Sequence, residues 1–145
     1  MDSKRSSLIK PKITSPFKID FEWWKKHDRD WRVYLRSFLC EEHQALFEDL
    51  ENDEVIDWVD PKTAEVTQVD GLLHVLITHC AKQDDFLTNR MALVDSVFRL
   101  LLSNGNQPLT SEELGKILHR PPMTILRTFS GFRVYKGIRP ISEKE

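Results

Sequence analysis

Cys40 and His43, three residues apart, and the neighbours His79 and Cys80 are the side chains whose chemistry stands out in this 145-residue chain. Together they offer two sulfurs and two imidazoles, and a structural zinc ion takes four such ligands in a tetrahedron. Cys40-x-x-His43 is a usable half-site. The second half is weaker, because consecutive residues on an α-helix point about 100° apart and His79 and Cys80 would rarely reach one ion together. A buried cysteine and a hydrogen-bonded histidine are the commoner outcome for such residues. The expectation is therefore no metal and no other cofactor; one equivalent of zinc in the purified protein would overturn it.

Nothing else in the sequence carries a catalytic signature. There is no glycine loop to cradle phosphate, no G-x-S-x-G elbow and no H-E-x-x-H pair. Asp57 and Asp60 flank Trp58, and Asp84-Asp85 fall where a turn is expected. Carboxylates at turns are usually solvated or capping, and only a pocket makes them acid/base candidates. The chain reads as non-enzymatic.

The net charge of −2 hides a segregation. Residues 1–36 hold ten Lys/Arg against five Asp/Glu, residues 37–105 four against fourteen, and residues 106–145 seven against four. Both ends could face a polyanion, whereas the middle would be repelled by one. An acidic middle also suits a protein-docking surface. With 40% hydrophobic residues and four tryptophans, the chain has enough apolar material for one domain or two very small ones. No apolar run of about 18 residues predicts a membrane span, and the first residues lack the apolar core of a secretory signal. Two cysteines without such a signal predict a reducing, cytoplasmic setting and no disulfide framework.

The elements that must position these residues follow from periodicity. Residues 1–16, rich in Ser, Lys and Pro, read as a flexible basic arm. Asp20 reads as the N-cap of a long helix with Trp23, Trp24, His27, Trp31, Tyr34, Leu35 and Phe38 on one side. Such a stripe is a core element or a subunit interface, for a protein partner or a homodimer. Lys25, Lys26, Arg29, Arg32 and Arg36 fall largely on the opposite, solvated side. A second helix starts near Cys40 and presents Leu46, Phe47 and Leu50, fading at Asn52-Asp53. EVIDWVDPKTAEVTQVD predicts a β-hairpin about Asp60-Pro61-Lys62. LLHVLITHCAKQ suits a buried helix, although a short apolar run also leaves a strand open. LTNRMALVDSVFRLLLSNGN predicts an amphipathic helix with Leu87, Met91, Val94, Val97, Phe98 and Leu101 inward, ended by Asn104-Gly105.

Residues 107–139, QPLTSEELGKILHRPPMTILRTFSGFRVYKGIR, hold the clearest local pattern. Thr110 and Glu113 have capping-box spacing. Leu114, Ile117 and Leu118 form one helical face, with Gly115 beside it to admit a crossing helix. Pro121-Pro122 end that helix near His119 or Arg120, and Pro122 can open the next one. The second helix turns Ile125, Leu126 and Phe129 inward and Thr124, Arg127 and Thr128 outward, until Gly131 stops it. The β-formers on both sides of Lys136-Gly137 then predict a short hairpin; its plainer reading is ordinary solvated charge, with Phe132, Val134, Tyr135 and Ile138 packing it on the core.

Helix, tight turn, helix and glycine-centred hairpin together resemble the winged helix-turn-helix superfamily, over about a quarter of the chain. The resemblance implies a recognition helix with Met123, Thr124, Arg127 and Thr128 outward, a wing carrying Arg133, Lys136 and Arg139, and Arg120 in the turn. It implies DNA binding, or less often protein docking. The fold expected is mainly α with small β. A flexible arm (1–16) leads into a helical and β-hairpin unit (17–85), then a winged-helix unit (86–141) and a tail (142–145).

The function expected is a DNA-binding transcriptional regulator that positions itself on phosphates and reads few bases, since only Arg127 on the outer face can read guanine bidentately. The alternative is a structural or adaptor subunit of a larger protein or ribonucleoprotein assembly, docking through the same module and the basic arm. An RNA-associated role is a third possibility, because a basic arm beside a small basic domain suits phosphate-rich RNA.

Overall fold

A computed structural model describes residues 10–46, 55–59 and 61–141. The protein is mainly α with a small β component, with seven α-helices among the described residues. The chain divides into two compact units, one made of residues 1–27 and 87–145 and the other of residues 28–86. Residues 17–27 thus fall in one unit with the carboxyl-terminal residues.

The first unit is organised by a three-stranded antiparallel sheet of β1 (Pro16–Ile19), β4 (Leu109–Thr110) and β5 (Ile138–Pro140), in the order β4-β1-β5. Phe17 lies opposite both Leu109 and Pro140, and Lys18 lies opposite Arg139. Alternation puts Phe17 and Ile19 into the core and leaves Pro16 and Lys18 half-buried. Asn106 extends β1: its amide oxygen accepts from the Ile19 N–H at 2.8 Å while its NH₂ donates to the Ile19 carbonyl at 2.9 Å. Asp20 then caps α1 (Phe21–His27), its carboxylate accepting from the Trp23 N–H at 3.0 Å. Trp24 is buried against Phe98, edge to face with ring centroids 5.4 Å apart.

The long Trp-rich helix is in fact two helices. The Asp28 carboxylate accepts from the Asp30 N–H at 2.9 Å, a local bond that competes with the helical ladder. α1 stops at His27, and α2 (Trp31–Arg36) begins the second unit. Of the expected stripe, Trp24, Leu35 and Phe38 are buried, whereas His27 is exposed and stacks on Trp23.

The second unit continues with α3 (Glu41–Leu46), then β2 (Val55–Val59) paired antiparallel with β3 (Val66–Asp70), then α4 (Gly71–Thr78) and a 3₁₀ turn over Cys80–Lys82. The hairpin and the buried helix match expectation. Asp70 ties them together: one carboxylate oxygen caps α4 by accepting from the Leu73 N–H at 3.1 Å, and the other accepts from the Arg32 guanidinium. Arg32 is thus mostly buried in an ion pair rather than on a solvated face. Phe47, Leu50, Asn52, Asp53, Asp60, the arm up to residue 9 and the tail 142–145 lie outside the described residues.

Helix α5 (Leu93–Ser103) starts later than the periodicity predicts. The Met91 carbonyl accepts from Arg120 at 3.1 Å and from the Ser96 hydroxyl at 3.3 Å, so side chains fill the place of a further helical turn. Val97, Phe98 and Leu101 are buried as predicted, joined by Leu100 and Leu102, whereas Leu87, Met91 and Val94 are only half-buried.

Candidate functional site

Two side-chain constellations carry chemistry, one in each unit. The first is the corner between α6 (Ser111–Leu118) and α7 (Pro122–Phe129). Thr110 and Glu113 form both bonds of the capping box, at 3.1 and 2.9 Å. His119 ends α6 in the left-handed conformation, φ 58°, and the Arg120 N–H returns to the Gly115 carbonyl at 3.0 Å. A Cβ on Gly115 would stand 2.5 Å from the Arg120 carbonyl oxygen and 3.1 Å from the Pro122 ring. Only glycine admits so close a crossing. Ile125 and Phe129 are buried, which turns Met123, Thr124 and Arg127 outward. Thr128 is half-buried, its hydroxyl donating to the Thr124 carbonyl at 2.8 Å.

The segment after α7 departs from a hairpin flap. Tyr135, Lys136, Gly137 and Ile138 make a tight turn with φ of 52° at Lys136 and 75° at Gly137, closed by the Ile138 N–H on the Tyr135 carbonyl at 2.9 Å. Beyond the single Tyr135–Ile138 bridge, however, β5 pairs with β1 and not with the residues preceding the turn. The turn is pinned to the core instead: the Asp20 N–H donates to the Gly137 carbonyl at 2.7 Å, and a Cβ on Gly137 would come within 3.0 Å of Trp24.

The cations are consequently dispersed. Arg139 donates to the Asp20 carboxylate at 3.1 Å and lies over the Trp23 ring at 5.5 Å. Arg120 is committed to the Met91 carbonyl. Arg133 is exposed and lies over the Tyr135 ring at 5.1 Å, Lys136 is half-buried in the turn, and Arg127 is exposed on α7. Phe132, predicted to pack on the core, is fully exposed, and Ile117 on α6 is 49% exposed. Neither Asp20 nor Trp23 stood out as a partner for the turn, because 119 residues separate Asp20 from Arg139.

The second constellation lies where α3 begins and α4 ends. Cys40 immediately precedes α3, and its carbonyl accepts from the N–H groups of His43 and Gln44 at 3.0 and 2.9 Å. That places the His43 ring back over the Cys40 side chain, Sγ to Nδ1 3.1 Å. Cys80 is buried, with its Sγ 3.4 Å from Cys40 Sγ and 3.7 Å from His43 Nδ1. A helix continuing through His79-Cys80 would keep these two side chains apart. The helix instead ends at Thr78, and His79 has φ −123° and ψ −63° before the 3₁₀ turn begins. Cys40, Glu42, His43 and His79 accordingly bring one ligand atom each to within 4.8 Å of one another. Burial pushes the Cys80 thiol up to about 11; the Cys40 backbone opposes the rise and the Cys40 side chain adds to it. At neutral pH Cys80 is a protonated thiol and a poor nucleophile.

Asp57, Asp84 and Asp85 are exposed. No helix among the described residues is long and apolar enough to cross a membrane. No protein-family model, curated protein or solved structure matches the chain.

Proposed function

We propose that this protein is a non-enzymatic DNA-binding protein of the helix-turn-helix type, a regulator of transcription, in which α7 approaches the duplex. The observation that carries this reading is the close-packed α6–α7 corner, closed at Gly115 and Pro122, which leaves Met123, Thr124 and Arg127 outward on a short helix. The unit containing it carries sixteen Lys/Arg against eight Asp/Glu, and local positive charge is what phosphate binding needs. Arg127 and Arg133 supply the phosphate contacts with Lys136. Arg139, already paired with Asp20, contributes less, and Thr124 with Arg127 takes limited base information.

Fluorescence anisotropy of the full chain on duplex DNA across a salt series tests this. Arg127→Ala and Arg133→Ala are each expected to weaken binding and lower the log–log salt slope by about 1, while Arg139→Ala changes it less. Salt-independent affinity, or variants that bind like the parent protein, would sink the reading.

One observation favours a second reading, docking to a protein. Phe132 stands fully in solvent, and Ile117 and Met123 are 49% and 48% exposed. Exposed apolar side chains are the usual anchors of an interface. A pull-down from source lysate that retains a stoichiometric protein after nuclease, and loses it with Phe132→Ser, would favour docking.

A further inference from the structure

Cys40, His43 and Cys80 meet across 40 residues of sequence with ligand-atom separations of 3.1, 3.4 and 3.7 Å. Four tetrahedral ligands at zinc distances, about 2.3 Å for sulfur and about 2.0 Å for nitrogen, stand roughly 3.3–3.8 Å apart. The three atoms therefore already outline most of one face of such a tetrahedron. The two cysteines are free, their sulfurs well beyond the disulfide bond length of about 2.05 Å. His79, the residue before Cys80, brings a ring nitrogen to within 4.8 Å of the Cys40 and His43 ligand atoms, its ring centroid 4.5 Å from that of His43. The exposed Glu42 carboxylate lies 3.9 Å from His79 Nε2, beyond hydrogen-bond reach.

We infer that Cys40, His43, His79 and Cys80 form a structural zinc site that joins the start of α3 to the end of α4. Two thiolates with two imidazoles suit zinc rather than the hard cations calcium and magnesium. Binding displaces one proton from each thiol to solvent, so the ion and its four ligands together are neutral. With every position filled by protein, the site has no open place for a substrate and acts on the fold. The unit around it spans only residues 28–86 and holds five Lys/Arg against fifteen Asp/Glu. A body of that size gains much from a metal staple, and its excess negative charge favours a cation. This inference does not rest on DNA binding.

The test uses the full, untagged chain, purified under reducing conditions without chelator. Native mass spectrometry and elemental analysis should find one zinc per chain. Exchange for Co(II) should give the intense visible bands of a tetrahedral thiolate–imidazole site, together with a thiolate-to-metal charge-transfer band. Cys40→Ser, His43→Gln and Cys80→Ser should each abolish the cobalt spectrum, His79→Gln should weaken metal retention at least tenfold, and Glu42→Gln should weaken it less. A folded, fully reduced wild-type chain that takes up neither zinc nor cobalt overturns the inference, as does isolation with Cys40 and Cys80 joined in a disulfide and no cobalt spectrum after reduction. If the cysteine variants do not fold, the wild-type cobalt spectrum still decides.

Discussion

Residues 1–27 and 87–145 carry a net charge of +8, counting Lys/Arg against Asp/Glu, whereas residues 28–86 carry −10. The two units also close by different means. The basic unit is sealed by backbone pairing between chain ends, β1 with β5, over a core of Phe17, Trp24, Phe98 and Ile138. The acidic unit is joined by side chains of moderate separation: Arg32 with Asp70, and Cys40 with Cys80. A near-neutral chain thus contains two bodies with opposite electrostatics, of which only the first suits a polyanion. Average charge conceals this; its distribution over the folded units reveals it.

The sharpest way to break this contrast is to remove an anchor of one unit and watch the other. Trp24 is 1% exposed, and Trp24→Ala is expected to cost about 3–5 kcal/mol. Hydrogen exchange should accelerate through α5, α6 and α7 while the β2–β3 amides keep their protection. Equal acceleration in both units would mean that they unfold as one.

The counterpart in the acidic unit is Asp70→Ala. It removes the cap on α4 and leaves the mostly buried Arg32 guanidinium without its carboxylate, at a cost of about 2–3 kcal/mol. Asp70→Asn keeps a cap acceptor and should recover part of that loss in urea unfolding. If both variants unfold like the parent protein, the pair contributes nothing.

A smaller effect is expected at the capping box. Thr110→Ala should destabilise the basic unit by about 1 kcal/mol and leave the acidic unit unchanged, as thermal unfolding followed by exchange can tell.

The smallest effect is on pH. The folded-state pKa of Cys80 lies above its ordinary value, 9.0 rising to about 11. In reduced, metal-free protein this contribution to stability is complete below 9.0 and fades as pH climbs through about 11. A melting temperature of the acidic unit that falls over this window, and falls less in Cys80→Ala, is the expected result. Identical slopes would remove burial of the thiol as the cause.

Much of the fold was legible where the signals are local. The capping box, the Pro121-Pro122 break, the close approach at Gly115 and the β2–β3 hairpin all depend on residues within a few positions of each other. The Trp stripe misled because helical spacing continues through Asp28-Arg29-Asp30, while the Asx bond made there stops the helix. For the candidate sites, the outward placement of Thr124 and Arg127 followed from periodicity, and that of Met123 from the family resemblance. The fate of Arg120 and Arg139 did not, because their partners Met91 and Asp20 are remote in sequence.

Sequence alone determined where α6 and α7 lie, how the corner between them is shaped, and that charge is segregated along the chain, because caps, prolines and apolar period act over a turn or two. Tertiary structure alone decided that β1 completes the sheet of the carboxyl-terminal unit, that Asp20 holds Arg139, and that Cys80 faces Cys40 and His43. Each depends on where distant backbones stop and meet. A one-residue change in the end of α4 would swing His79 and Cys80 by about 100°, a direction that no local pattern encodes.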